Sequence, residues 1–137
     1  ATTVLDSIDQ APSPISKALF EVMPERVEPL HRYIAAQPWA AEYEIMPSSA
    51  YLLELTAKGA SKGDMVRRLA QILGIARENV YCVGDHANDL GMLAFSAIPF
   101  APVNAIESVH QVPGIHILPD ARQGAIAALI RELEARY

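Results

Sequence analysis

The sequence predicts an α/β chain: a parallel sheet with covering helices, preceded by a small α+β layer. Three observations predict it. Beyond residue 60, helical and strand patterns alternate one for one, as they do when crossover helices join parallel strands. Before residue 57, one helical stretch lies among three short strand patterns. The charge divides at the same place. Residues 1–57 carry three cations and eight acids, whereas residues 58–137 carry eight of each. Two structural units meeting near Lys58 are therefore expected, over residues 1–57 and 58–137.

The first dozen residues end in Ala11-Pro12-Ser13-Pro14, a loop signature. Residues 15–22 alternate in polarity and read as a strand. Pro24 opens a helical stretch with Val27, Leu30 and Ile34 on one face. Pro29 interrupts it, so the helix kinks there or begins there. Residues 42–46 and 51–56 read as two strands around Pro47-Ser48-Ser49. From Ser61 the period becomes helical, with Met65, Val66, Leu69, Ile72 and Leu73 forming an apolar stripe. Ser61 is placed as its N-cap, with Asp64 in the capping-box position and Gly74 as its stop. Residues 80–83 are a short apolar run before Gly84, the pattern of a buried strand. Residues 86–95 read as helix, 97–100 as strand, 104–110 as a short helix and 115–118 as strand. Ile126, Leu129, Ile130 and Leu133 stripe a final helix.

Composition narrows the function classes. The chain has 137 residues, 51% hydrophobic and 20% charged, which argues against disorder. No apolar run approaches the ~18 residues of a membrane-spanning helix, and no basic segment leads into an apolar one at the N-terminus. Eleven Lys and Arg against sixteen Asp and Glu, net −5, argue against a nucleic-acid module. The single cysteine, Cys82, excludes an internal disulfide and fits a reducing cytoplasm. Its place in a buried strand makes it a small core residue rather than a reactive thiol.

Two features carry chemistry. The first is Val83-Gly84-Asp85-His86-Ala87-Asn88-Asp89. Asp85 falls just past the carboxyl end of a buried strand, the edge at which open α/β sheets bind ligands. Asn88 and Asp89 fall at the start of the next helix. Two carboxylates and an amide within five residues supply the hard oxygen ligands that Mg²⁺ takes while keeping several waters. The same residues would also serve as plain helix caps. The second feature is Lys62, at a helix N-terminus. A cation there opposes the helix dipole, unless an anion such as phosphate shares the position. The alternative is an ordinary solvated lysine.

Order and spacing of these two features resemble the haloacid dehalogenase (HAD) phosphatase superfamily, in its Cof-like class with a large α+β cap. Gly84-Asp85-His86-Ala87-Asn88-Asp89 with Met92-Leu93 matches that family's GD-x-x-ND-x-x-ML motif. Tyr51 to Leu55 followed by Lys58 to Gly63 looks like the return from cap to core. Ala101 to Ala105 and Asp120 to Leu133 resemble the closing segments, and residues 15–56 more weakly resemble the second half of the cap. The resemblance implies that residues 1–57 are a partial α+β cap and residues 58–137 the C-terminal half of a Rossmannoid HAD-like core. It also implies phosphomonoester hydrolysis through an aspartyl-phosphate, with Mg²⁺ as cofactor and a small phosphorylated metabolite as substrate. On that basis Asp85 is an acidic metal ligand, and Asp89 supports the metal directly or through water. Lys62 neutralises phosphoryl charge, and Asn88 hydrogen-bonds near the phosphoryl group or orients Asp85.

One departure matters. The family's nucleophile lies in an N-terminal D-x-D motif, and no such motif occurs here; Asp6 and Asp9 have the wrong spacing. The chain begins at Ala1 and is expected to be a C-terminal portion that does not turn over phosphate esters alone. An exposed sheet edge would then pair with another chain, giving a dimer or association with a missing N-terminal portion. A rival reading is a non-catalytic binding or pseudoenzyme module. A receiver-like domain with an acidic pocket is disfavoured, because its acids would come early in the chain. His86 stands where the family often has a small residue, and either touches substrate or is simply solvated. His31, His110 and His116 share no metal-ligand spacing. Trp39 and Tyr43 either pack beneath the cap sheet or line its substrate side. Neither a Walker loop nor G-x-G-x-x-G occurs.

Overall fold

The computed structural model describes residues 3–136. They form two three-stranded sheets in sequence, the first antiparallel and the second parallel. The first contains β1 (Lys17–Glu21), β2 (Tyr43–Pro47) and β3 (Leu52–Ala57), in the order β1-β3-β2. Helix α1 (Pro24–Ala35) connects β1 to β2. It starts at Pro24, whose missing N–H costs nothing at the first helical position, and runs on through Pro29. The alternative start at Pro29 does not occur. Burial of Val27 and Ile34 compensates for the hydrogen bond that Pro29 removes.

Register gives this sheet two unlike faces. Phe20, Leu53 and Pro47 lie opposite one another, as do Ala18, Leu55 and Ile45. Leu53 is fully buried on this apolar side, which α1 covers. One residue out of phase, Lys17, Thr56 and Glu44 form one row, and Leu19, Glu54 and Met46 the next. That polar face is turned toward the second unit.

The second unit begins with α2 (Lys62–Leu73). The Ser61 hydroxyl accepts from the Asp64 N–H at 3.1 Å, and Gly74 ends the helix with φ +65°, as the sequence predicts. The parallel sheet follows as β4 (Tyr81–Val83), β5 (Ile98–Pro102) and β6 (His116–Leu118), in the order β4-β5-β6. Helices α3 (Leu90–Phe95), α4 (Glu107–His110) and α5 (Ala125–Glu134) complete it. Cys82, Leu93, Ala101 and Val109 make the core on one side of this sheet; Phe100, Leu118 and Ala125 make it on the other. Cys82 is buried and unpaired. No helix among the described residues is long and apolar enough to cross a membrane.

Three sequence expectations need adjustment. The helix read over residues 104–110 shrinks to Glu107–His110, because the Asn104 side chain instead accepts from the Ala121 N–H at 2.9 Å. The helix read over residues 86–95 divides into a 3₁₀ turn, Ala87–Asp89, and α3. The stripe of α2 is wider than the face its neighbours cover. Val66 packs into the core, whereas Met65, Leu69, Ile72 and Leu73 stay exposed.

Candidate functional site

The loop between β4 and α3 is held from several directions. Gly84 N–H donates to the Phe100 carbonyl at 3.1 Å, extending the parallel ladder by one residue. The Asp85 carbonyl accepts from the Ile106 N–H at 3.0 Å. Asp89 turns its carboxylate back under this loop, where Oδ2 accepts from the N–H groups of Asp85 at 3.0 Å and His86 at 3.1 Å. Gly84 makes room for that turn. A Cβ on Gly84 would lie 2.4 Å from the Asp89 Cβ and 2.8 Å from its Cγ. The motif glycine is thus required by the close approach of a carboxylate rather than by an unusual backbone angle.

The other Asp89 oxygen, Oδ1, accepts from Lys62 Nζ at 2.6 Å. The aspartate side chain is 4% exposed and the lysine side chain 51%. The carboxylate is therefore fixed by three donors, while the ammonium stands half in solvent with hydrogens to spare. Lys62 reaches this position because α2 and α3 approach closely. A Cβ on Gly63 would lie 2.6 Å from the carbonyl carbon of Gly91 and 2.9 Å from its oxygen. Only a glycine at position 63 permits that contact.

Lys62, Asn88 and Asp89, far apart in sequence, are thus brought to one end of the parallel sheet. Asp85 is there too, with its backbone pinned and its carboxylate exposed. Asn88 is half-buried and lines a cavity with Lys62 beneath the antiparallel sheet. No cluster of three or more His, Cys, Asp or Glu side chains disposed to hold a metal occurs among the described residues. A cation here would have an open site, with one or two carboxylates completed by water and phosphate oxygens. That donor set fits Mg²⁺, with Asp85 as its unobstructed oxygen donor.

Sequence reasoning missed the polar face of the antiparallel sheet. Lys17 Nζ donates to Glu54 Oε2 at 2.6 Å, and Lys58 Nζ lies 3.3 Å from Glu44 Oε1. Glu44 Oε1 also accepts from the Gly59 N–H at 3.3 Å. The Lys17 bond is the main cause holding the Glu54 carboxyl below its usual range. A depressed pKa stabilises the fold above the unfolded value, ~4.3, and this contribution fades as pH falls through the folded value. With both partners partly solvated, Glu54→Gln is expected to cost about 0.2–1 kcal/mol at pH 7 and much less near pH 3, read by urea titration at both pH values. Strand alternation, Lys17 against Ala18 and Glu54 against Leu55, was the available signal for this face.

Trp39 and Tyr43 form an edge-to-face pair, ring centroids 5.7 Å apart. With Ile15, Ala18 and Leu55 they line an apolar groove of about 380 Å³ on the α1 side of the sheet, away from Lys62. They therefore do not line the cavity holding Lys62 and Asn88. Nδ1 of His86 is buried, so this side chain is less solvated than its sequence reading implied. His110 and His116 make local contacts, to the Pro102 carbonyl and to Glu132.

Comparison with known proteins bears on this arrangement. A family model described as haloacid dehalogenase-like hydrolase matches residues 2–130. “Putative phosphatase YxeH” of Bacillus subtilis is 35% identical over 130 residues, covering 92% of this chain and 47% of that protein. Among solved structures, a haloacid dehalogenase-like hydrolase from B. subtilis aligns with TM-score 0.81 and 26% identity, over 94% of this chain and 46% of that one. SMU.1108c from Streptococcus mutans aligns with TM-score 0.87 over 96% of this chain and 49% of that one; at 19% identity this likeness concerns the fold. The chain spans about half the length of these relatives.

Proposed function

This chain belongs to the haloacid dehalogenase-like hydrolases, in their Cof-like class, and from that membership and the geometry around Lys62 we propose that it is the charge-handling part of a Mg²⁺-dependent phosphatase. The observation that carries this reading is the Lys62–Asp89 pair beside Asp85. A half-exposed ammonium is held by a buried carboxylate at the carboxyl end of a parallel strand. Such a preorganised cation stabilises the charge that develops on a phosphoryl group during transfer.

Each residue has a separate task. Lys62 donates hydrogen bonds to phosphoryl oxygens and offsets their charge. Asn88, facing the same cavity, donates its amide to the phosphate or to the ester oxygen. Asp85 would hold Mg²⁺, and when bound this ion supplies Lewis-acid neutralisation of phosphate charge. Asp89 works mainly through Lys62 and the loop, since its oxygens already accept from Nζ and two N–H groups. The substrate is a small phosphomonoester and the products are an alcohol and inorganic phosphate. The polar sheet above closes over it and limits water.

The aspartate that would form the aspartyl-phosphate lies outside this chain in our reading. β4 pairs only with β5 among the described residues, and Asp85 lies just past its carboxyl end, after Gly84. We place the nucleophile on a further strand paired to the other edge of β4. The exposed residues Leu69 and Ile72 of α2, and Ile126 and Ile130 of α5, are apolar surface that would pack around such a strand. The isolated chain should therefore self-associate or capture that missing part; a monodisperse monomer by light scattering contradicts this.

The test is hydrolysis of p-nitrophenyl phosphate by the full gene product in which these residues occur. Lys62→Met should lower kcat about 10²–10³-fold, as loss of one preorganised transition-state donor does. A change smaller than threefold would remove Lys62 from the phosphoryl site.

A further inference from the structure

A separate cavity lies at the other end of the parallel sheet from Lys62, at the amino ends of β5 and β6. Its volume is about 390 Å³, within the roughly 300–1,000 Å³ usual for small-molecule sites. No residue of β4 lines it, so a strand added at the free edge of β4 does not fill it. Leu93, Ile98, Val112 and Pro113 supply an apolar lining, and Arg77 and His116 are the ionisable groups.

Both groups are fixed before any ligand arrives. Arg77 Nε donates to the Phe95 carbonyl at 2.7 Å and Nη2 to the Ala94 carbonyl at 3.2 Å, and the guanidinium lies 6.0 Å from the Phe95 ring centroid. These bonds cap the end of α3 and leave further N–H donors of the guanidinium unspent. Among the described residues no carboxylate pairs with it; Glu78 lines the adjoining surface rather than the cavity. His116 Nδ1 lies 3.0 Å from Glu132 Oε1, and its ring meets Phe100 edge to face, centroids 5.3 Å apart. A bond from Arg136 is the main cause holding the Glu132 carboxyl below its usual range, so it is ionised at neutral pH and only accepts. Nδ1 of His116 therefore carries the hydrogen, and Nε2 is left for a ligand. Arg136 and His116 answer the charge of Glu132, whereas the charge of Arg77 is met by carbonyl oxygens alone. The cavity is thus a largely apolar space with an uncompensated, preorganised cation on one side.

We propose that this cavity is a second ligand site, which binds a small organic acid. The carboxylate takes the spare N–H groups of Arg77, the apolar lining takes the body, and His116 is its second polar partner. The site is independent of the phosphate site, from which the length of the parallel strands separates it.

Titration of the full gene product with benzoate and with its uncharged analogue benzamide, followed by amide chemical shifts in NMR, tests it. Benzoate should move the amides of Ala97, Val112 and Gly114 and leave those of Lys62 and Asn88 in place. It should bind about tenfold more tightly than benzamide, the worth of a hydrogen bond between charged groups. In Arg77→Met this preference should shrink to about twofold or less. The wild-type comparison stands even where that variant, lacking the cap on α3, fails to fold. Equal binding of benzamide by the wild type, an unchanged preference in the folded variant, or no response of the cavity amides at about 20 mM benzoate overturns the site. Shifts confined to Lys62 and Asn88 would place benzoate at the phosphate site and overturn it as well.

Discussion

Asp89→Ala should both unfold the site and silence it. The substitution leaves two loop N–H groups without their acceptor and releases Lys62 from its 2.6 Å partner. Each orphaned donor costs about 1–3 kcal/mol when shielded, and the half-exposed lysine recovers hydration. The expected loss is about 2–4 kcal/mol, measured by urea unfolding of the chain. Asp89→Asn separates the two roles. Its amide oxygen can still accept from the loop, so the expected stability loss is about half. Lys62, however, loses the charge that fixes it, and hydrolysis by the full gene product should fall about 10²-fold or more. An Asp89→Asn protein with wild-type activity would make Asp89 a scaffold residue alone.

Gly63→Ala is the second large effect, and it acts through backbone. The new methyl would meet Gly91 at 2.6–3.0 Å, where no side chain can rotate away. Helices α2 and α3 must separate, at about 2–3 kcal/mol by analogy with overpacked cores. Lys62 is the neighbouring residue, so its approach to Asp89 should lengthen as well. Gly74→Ala is the matched control. It meets nothing within 4 Å, but its φ of +65° makes alanine strained there, at about 1 kcal/mol. If thermal unfolding shows the two variants equally destabilised, the helix contact is not what Gly63 protects.

The legible parts of this chain were those written in local chemistry. Ser61, Asp64 and Gly74 bound α2 as caps, and the apolar run before Gly84 is strand β4. Asp85, Asn88, Asp89 and Lys62 were singled out by motif order and spacing, and the fold brings these four to one sheet end. The pairing of Asp89 with Lys62 was not legible, since 27 residues separate them and only packing of α2 on α3 unites them. The reason for Gly63 was hidden likewise, because its partner Gly91 lies on another helix. Asn104 misled the reading of residues 104–110; its side chain serves a loop 17 residues away rather than its own helix. The polar wall of Lys17, Glu44 and Glu54 was visible as strand alternation, but what it faces depends on how the two sheets meet.

The decisive measurement is Mg²⁺-dependent hydrolysis of p-nitrophenyl phosphate by the full gene product, by its Asp85→Asn variant and by residues 1–137 alone. Turnover by the gene product should require Mg²⁺, fall about 10²-fold or more in Asp85→Asn, and be absent from residues 1–137 alone. Turnover that is indifferent to Asp85, or equal turnover by the isolated chain, would contradict this reading.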